Sequence, residues 1–527
     1  ALAALLEGRG GAFLGEPAFG TAWLHARGAA PVLPFGVEEL LSLLQDYDPA
    51  PAREAHLARM RRLAAGEGAT LEDVGAEDTQ AMLRLWGASM VRRLPPTGKE
   101  TVAKDGLRTD AVDDDAKIRA FLAGAQLSRA EDLAARGESW TFVVNQLQGA
   151  APCLRDLQHG LFCRTGLSGG LNGYLTPPGE IGKPPHVDDH DVLVVQQAGE
   201  KVWLLLDTVT RQTAAEVHLR QGDVLYLPQG LPHHARAAPG APSMHIAVGL
   251  HRSPLSIASL LAALLTVRAL GGTPGSLSTA VVEEMDSRAA AFAAFGGREH
   301  WLNQLLPAHL HLQLVGALDP EDRDEQAPAL KGLAAELAMS ARRLLDLLQG
   351  GPCAVPGDTP GAARHRAMQQ AAAMGSEAEL KAAAGLPESE LTPLAAEAFW
   401  ARREHSMDQH FAHHGPRRAT PGAVASADEL EAGSLAPETA WRRPAGQVAA
   451  LLRPRGVLRA NGYRLPGLSV EELEVARHCL RVHSGAACRP FTLADLPGAE
   501  AAKRSIIGKL LCVGALERLP GGAAAAA

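Results

Sequence analysis

At 527 residues the chain is too long for one hydrophobic core and implies two to four domains. Hydrophobic residues make up 46% of it but aromatics only 4%, so burial is ample and much of it must rest on alanine and aliphatic side chains. A net charge of −8 excludes a broad electrostatic attraction to nucleic acid.

Residues 12–140 mix helical stretches with a few strand-like pieces. Residues 37–44 have the spacing of an amphipathic helix, and so do 116–122, where Ile118, Phe121 and Leu122 fall at i, i+3 and i+4. Residues 140–145 read as a strand. Between 172 and 250 the chain becomes a series of short apolar, β-branched runs: 192–196, 201–206, 224–227 and 244–250, separated by Gly199, Gly222-Asp223 and Pro228. That spacing predicts an antiparallel barrel or jelly roll.

His186-Val187-Asp188 sits inside this series, and His233 follows the strand that Gly222-Asp223 begins. Two positions apart on extended backbone, His186 and Asp188 project from one face. Two neutral imidazoles and one carboxylate can occupy one face of a six-coordinate ion and leave the opposite positions open, an arrangement suited to Fe(II). His234 competes with His233, but neighbouring strand residues face opposite ways and the motif favours His233. His190 and His245 read as ordinary barrel residues, and Asp189 and Asp191 as solvated loop carboxylates.

With these residues in hand, the segment 172–250 resembles the JmjC-type 2-oxoglutarate oxygenases, and within them the ribosomal oxygenases. The matching stretches are Asn172-Gly173-Tyr174-Leu175-Thr176-Pro177-Pro178, His186-Val187-Asp188-Asp189, Gln196 with Gly199-Glu200-Lys201-Val202-Trp203, and Gly222-Asp223-Val224-Leu225-Tyr226-Leu227-Pro228 through His233. The resemblance implies that His186, Asp188 and His233 are iron ligands and that Lys201 binds the distal carboxylate of 2-oxoglutarate. It implies further that Asn172 and Tyr174 line the co-substrate and substrate pocket, with Ser243 near the target side chain. A fixed cation at Lys201 also agrees with the needs of a dianion in a desolvated barrel.

Beyond the barrel, Ser253-Pro254 offers a helix N-cap followed by a first-turn proline. A helix with apolar residues at 257, 260, 261, 264 and 265 comes next, then helical patterns over 299–315, with Pro307 a break, and 330–348. Residues 350–387 and 415–437 are rich in Ala, Gly and Pro and read as linkers or insertions around a helix at 391–411. That helix carries His405, Asp408, His410, His413 and His414; the expectation is an exposed histidine cluster, not a metal site. Arg402-Arg403, Arg417-Arg418 and Arg442-Arg443 read as solvated helix ends. In the tail, 471–482 is helical, Thr492-Leu493-Ala494-Asp495-Leu496-Pro497 caps a helix running to Leu511, and 513–519 has the character of a wing strand.

The fold class expected is therefore α+β: a double-stranded β-helix of the cupin/JmjC jelly-roll kind, then an all-α region, then a winged-helix-like domain. The domains are 1–252 with its core at 140–252, a helical region at 253–350, a linker with one helix at 351–440, and the winged-helix-like part at 441–520. The resemblance implies that 253–350 is a dimerisation unit and that the tail resembles the C-terminal domain of ribosomal oxygenases. Six cysteines, Cys153, Cys163, Cys353, Cys479, Cys488 and Cys512, lie without a Cys-x-x-Cys pair, which fits free thiols in a reducing interior. The longest apolar run, 255–270, is interrupted by polar residues and too short to span a bilayer. A soluble intracellular protein is expected, nuclear or nucleolar in a eukaryote and cytoplasmic otherwise.

The activity implied is Fe(II)- and 2-oxoglutarate-dependent hydroxylation of a ribosomal-protein residue, His ahead of Arg, by a homodimer with no direct nucleic-acid or membrane contact. Two rival readings stay open. One is the same chemistry on N-methyl-lysine of histones, which would release formaldehyde. The other is an inactive cupin that serves as an assembly or binding protein, since fold does not establish function.

Overall fold

A computed structural model describes residues 140–271 without a break, and all or most of 19–54, 87–94, 108–124, 279–294, 301–316, 323–348, 377–414, 440–480 and 491–519. It divides into two compact units. The first comprises Ala1–Leu57, Thr79–Gln158 and Ser168–Arg252, and the second Ala58–Asp78, His159–Leu167 and Ser253–Ala527.

The first unit is built on two antiparallel sheets. Its strands are β1 (Leu24–Ala26), β2 (Gly87–Leu94), β3 (Arg108–Val112), β4 (Trp140–Asn145), β5 (Leu171–Thr176), β6 (Asp191–Ala198), β7 (Glu200–Leu206), β8 (Thr213–Arg220), β9 (Val224–Leu227), β10 (His233–Ala237) and β11 (Ser243–Leu250). Eight of them form a sheet in the order β1-β9-β6-β11-β5-β4-β2-β3, and three form a second in the order β10-β7-β8. The core draws Val192, Val194, Leu225, Leu227 and Ala247 from the large sheet and Trp203, Leu205, Val217, Leu219 and Ala235 from the small one. Each strand contributes alternate residues, as its pleat requires. This is the jelly roll anticipated from the spacing of apolar runs.

Two glycines make its tight turns possible. Gly199, between β6 and β7, has φ +64°, and a Cβ there would lie 2.2 Å from the Pro242 carbonyl oxygen. Gly222, with φ +89°, turns the chain into β9, and the Asp223 carboxylate accepts from the backbone NH groups of Arg220 and Gly28. The two N-terminal helices of this unit, α1 (Val37–Gln45) and α2 (Asp115–Gly124), bury Leu40, Leu41 and Leu44, and Ile118 and Leu122, as their periodicity predicted.

One expectation for this unit fails at Asp191. It is not a solvated loop carboxylate but fully buried at the start of β6. Arg252 Nε donates to both of its oxygens at 2.9 and 3.0 Å, Tyr226 donates its hydroxyl at 2.9 Å, and the Gln229 NH donates at 2.6 Å. A buried charge survives only when paired and hydrogen-bonded in this way.

Helix α3 (Pro152–Thr165) begins in the first unit and ends in the second. The second unit continues with α4 (Ile257–Ala269), α5 (Thr279–Ala294), α6 (Ala308–Gly316), α7 (Arg323–Leu348), α8 (Glu377–Ala384) and α9 (Glu388–His414). Helix α4 forms where the apolar spacing placed it, and it buries every residue from Ile257 to Val267, Ser259 and Thr266 included, so it is packed on all sides. Its N-cap is Ser256, whose hydroxyl accepts from the Ser259 NH, while Ser253-Pro254 lies in a preceding turn of 3-10 helix. Helix α8 falls within a stretch expected to be linker.

Helix α9 corrects two further expectations. His410 and His414 are buried rather than exposed, and the His410 ring stacks on Phe162 at 3.7 Å. Arg402 and Arg403 are buried as well. Arg402 pairs with Asp286, and the Arg403 guanidinium lies 4.9 Å over the Phe162 ring, where burial holds its pKa down at about 10. Arg417 and Arg418 lie outside the described residues.

The tail has its own core around Trp441, Leu458, Val475, Ile506, Leu510 and Leu511. Strands β12 (Trp441–Arg442), β13 (Ala450–Arg453), β14 (Val457–Ala460) and β15 (Tyr463–Leu465) precede α10 (Val470–Leu480) and α11 (Glu500–Cys512), with β16 (Glu517–Arg518) paired to β12. Asn461, at φ +51°, follows β14 and turns the chain toward β15, a left-handed conformation that asparagine tolerates at hairpin turns. Thr492 and Asp495 form a capping box on a 3-10 turn (Leu493–Asp495), so α11 starts later than its cap motif implied. The basic side chains of α11 are all engaged within the unit: Lys503 with the Leu493 carbonyl, Arg504 with Glu500 and Lys509 with Glu472. No helix of the described residues is long and apolar enough to cross a membrane.

Candidate metal and co-substrate site

The segment between β5 and β6 runs antiparallel along the free edge of β10. Ile181 bridges Arg236, and His186 bridges His233. In the second bridge each histidine NH donates to the other's carbonyl, at 3.1 and 3.0 Å. Two histidines more than forty positions apart are thus exchanged across one backbone pair, and their rings lie 4.5 Å apart. Asp188 stands two residues on, its carbonyl accepting from the Gly230 NH at 3.1 Å.

The three side chains converge. His186 Nε2 lies 3.6 Å from one Asp188 carboxylate oxygen and His233 Nε2 lies 3.5 Å from the other. Metal–ligand bonds of roughly 2.1 Å at right angles put adjacent donor atoms about 3 Å apart, so small rotations bring this set onto one ion. The ring orientation suits that use. His186 Nδ1 lies 2.9 Å from the Pro184 carbonyl and His233 Nδ1 2.9 Å from the Leu231 carbonyl. An Nδ1–H donated to a carbonyl leaves the Nε2 lone pair for a metal. Burial, and then the neighbouring His186, holds the His233 pKa down at about 4, so its imidazole is neutral and can donate that lone pair. His234 pairs with Leu204 on β7 and by strand alternation faces the other way.

Lys201 is fully buried on β7. Its ammonium donates to Thr176 Oγ1 at 2.9 Å and lies 3.3 Å from His245 Nδ1. No carboxylate of the described residues pairs with it, and burial alone lowers its pKa to about 7. Tyr174 and His245 are register partners on β5 and β11, and their rings stack at 4.5 Å with planes 6° apart. Lys183 also reaches the Tyr174 ring, 5.5 Å from its centroid.

Asn172, two residues before Tyr174 on β5, accepts from the Gln146 NH at 3.4 Å. Ser243 is fully buried at the start of β11, and its hydroxyl accepts from Gln196 Nε2 at 2.8 Å. Three participants were missed from sequence. His245 is not an ordinary barrel residue but a direct neighbour of Lys201. Thr176 holds the Lys201 ammonium. Trp203, two residues along from Lys201 on the same face, packs against His233 and His245, and its buried indole NH has no hydrogen-bond partner among the described residues. The i, i+2 relation of Lys201 to Trp203 was the one signal available for them.

Residues 157–256 match the family model of the JmjC domain. His186, Asp188, Lys201, His233 and Ser243 all lie within the matched span. The chain is 36% identical over 113 residues to ribosomal oxygenase 2 of Bos taurus, covering 18% of this chain and 24% of that one. It is 33% identical over 141 residues to ribosomal oxygenase 1 of Gallus gallus, covering 23% and 22%. Over 114 residues it is 33% identical to the bifunctional lysine-specific demethylase and histidyl-hydroxylase NO66 of Culex quinquefasciatus, covering 18% and 17%. The chain therefore spans about a quarter or less of the length of these relatives. Alignment with the Escherichia coli ribosomal oxygenase YcfD covers 95% of both chains at 13% identity and a TM-score of 0.35, a likeness too low to carry an argument.

Proposed function

We propose that this chain is an Fe(II)- and 2-oxoglutarate-dependent oxygenase that hydroxylates a residue of a ribosomal protein, His ahead of Arg. The observation that carries the reading is the pairing of two features on one barrel: a His-Asp-His set whose Nε2 and carboxylate atoms converge, and a buried ammonium with no carboxylate partner among the described residues. An unpaired buried cation is costly, and a dianionic co-substrate would relieve it. The names of the related proteins support the same reading.

In this assignment His186, Asp188 and His233 hold the iron. Bound Fe(II) with 2-oxoglutarate and O2 supplies the oxidising chemistry, at the cost of converting the keto acid to succinate and CO2. Lys201 binds the distal carboxylate, with Thr176 and His245 fixing the direction of its N–H bonds. The stacked Tyr174–His245 pair and the apolar core below it exclude water from the reacting region. Asn172 and Tyr174 line the pocket, and Ser243 supports it through Gln196. The helical region 253–350 is assigned to homodimerisation and the tail to protein contact.

Incubating the iron-loaded protein with ribosomal-protein peptides, 2-oxoglutarate and O2 should add one oxygen to a His-containing peptide, read by mass spectrometry. A second reading, N-methyl-lysine demethylation, is favoured by the similarity to the Culex relative, which is named a bifunctional demethylase and hydroxylase. Formaldehyde release from methylated histone peptides, with no oxygen added to any ribosomal protein, would replace the first reading by the second. Absence of succinate with every substrate would favour the inactive cupin.

A further inference from the structure

A second group of metal-type ligands lies at the end of the β6–β11 ladder, built from residues to which the oxygenase assignment gives no role. The register of that ladder ends with Leu250 opposite Asp191. One step further, the same antiparallel pairing sets His251 against His190. Their rings are 4.6 Å apart. Asp189 completes the group, with its Oδ1 2.8 Å from His190 Nδ1. One donor atom from each of Asp189, His190 and His251 falls within 4.8 Å of the other two.

The surrounding backbone is shaped for this arrangement. A Cβ on Gly249 would approach His190 Cδ2 to 3.0 Å and Nε2 to 3.2 Å, so the imidazole packs closely over the glycine. The end of β11 is held from its other side, since the His251 NH donates to the Ser168 carbonyl and the Gly249 NH to the Gly170 carbonyl.

We propose that Asp189, His190 and His251 form a second divalent-metal site at the rim of the barrel, selective for a borderline ion such as Zn2+. Two imidazoles and a carboxylate are a common zinc donor set, and a fourth position remains for water. Mg2+ and Ca2+, which prefer oxygen ligands, are disfavoured. Such an ion would tie the loop that carries Asp188 to the end of β11, restraining the segment that positions the iron ligands. The proposal is independent of the oxygenase reading, because no residue is shared between the two groups.

Zinc uptake by the full-length apoprotein, measured by equilibrium dialysis with Zn2+ alone, tests it. Zinc also fits the His186-Asp188-His233 set, so the wild type should retain two equivalents. His251→Ala and Asp189→Asn, both at exposed positions, should each retain one, and His251→Cys, which restores a ligand, should return to two. Asp188→Ala should keep the rim equivalent, and Asp188→Ala with His251→Ala should keep neither. Circular dichroism establishes that each variant is folded. Stoichiometry unchanged by both His251→Ala and Asp189→Asn would overturn the rim site and assign any extra zinc to adventitious binding. Stoichiometry unchanged by Asp188→Ala would instead count against the proposed iron site, leaving the rim result to be read by itself.

Discussion

Lys201 Nζ lies 3.3 Å from Nδ1 of His245 in the interior of the barrel. The two cannot both be charged at that distance. Burial first, and then the positive charges of Lys201 and Lys183, hold the His245 pKa well below the ordinary histidine range. The imidazole is therefore neutral, and a neutral Nδ1 can accept a hydrogen bond from the ammonium. Together with Thr176 Oγ1 it leaves one N–H direction of Lys201 for an incoming carboxylate.

Co-substrate binding should accordingly weaken as pH rises. With its pKa lowered to about 7, Lys201 loses its proton in the free protein well below the 10.5 of an ordinary lysine. Above that pH each bound dianion must bring a proton back to Lys201, so the dissociation constant for 2-oxoglutarate should rise by about tenfold per pH unit between roughly pH 7.5 and 9. The sign for folding is the opposite. The unfolded chain holds the lysine proton up to its higher pKa, so this group makes the apoprotein more stable as pH rises from about 7 toward 10.5. Titration calorimetry with 2-oxoglutarate across this range checks the first claim. A flat profile would remove Lys201 from the role.

His245→Ala should raise the KM for 2-oxoglutarate with a smaller change in kcat, because it removes an acceptor for Lys201 and leaves the metal ligands in place. His245→Asn, whose side-chain oxygen can accept the same proton, should recover part of the loss. Equal loss of kcat and KM in both variants would indicate a packing role only.

Asp188→Ala and His233→Ala should each abolish succinate formation while leaving the fold intact, since the convergent donor set loses one of three members. His234→Ala should be mild by comparison, because that ring belongs to the opposite face of β10. Iron content by elemental analysis, alongside succinate release, distinguishes them. Iron lost from His234→Ala but kept by His233→Ala would shift the ligand by one position.

Arg252→Met should cost about 3–5 kcal/mol of stability, because it strands the buried Asp191 carboxylate without its cation. Replacing both, as Asp191→Leu with Arg252→Met, should recover part of that loss. Denaturant unfolding of the two variants provides the comparison. Near-equal stability of Arg252→Met and wild type would mean that Tyr226 and the Gln229 NH suffice to hold the charge.

A chain ending at Arg252 should aggregate. Residues His159–Leu167 belong to the second unit, where Phe162 is fully buried against His410 and Arg403. Removing those partners bares an aromatic face. Light scattering of the truncated chain checks this, and a soluble, monodisperse product would show that α3 can cover its own apolar residues.

The sequence by itself determined the barrel and the candidate ligands. Short alternating runs between Gly199, Gly222 and Pro228 admit few folds other than an antiparallel barrel, and the two-residue step from His186 to Asp188 puts both on one face whatever lies around them. Tertiary structure decided everything that depends on residues distant in sequence. Only the bridge between His186 and His233 shows how one backbone pair delivers two imidazoles, only the pairing of β5 with β11 sets Tyr174 beside His245, and only the packing of the two sheets brings Lys201 of β7 to them. Asp191 reads as a loop carboxylate until Arg252, 61 residues away, is folded against it. Helix α4 illustrates the same limit. Its periodicity records one apolar face, but whether the remaining faces meet water or other helices depends on partners that local sequence does not encode.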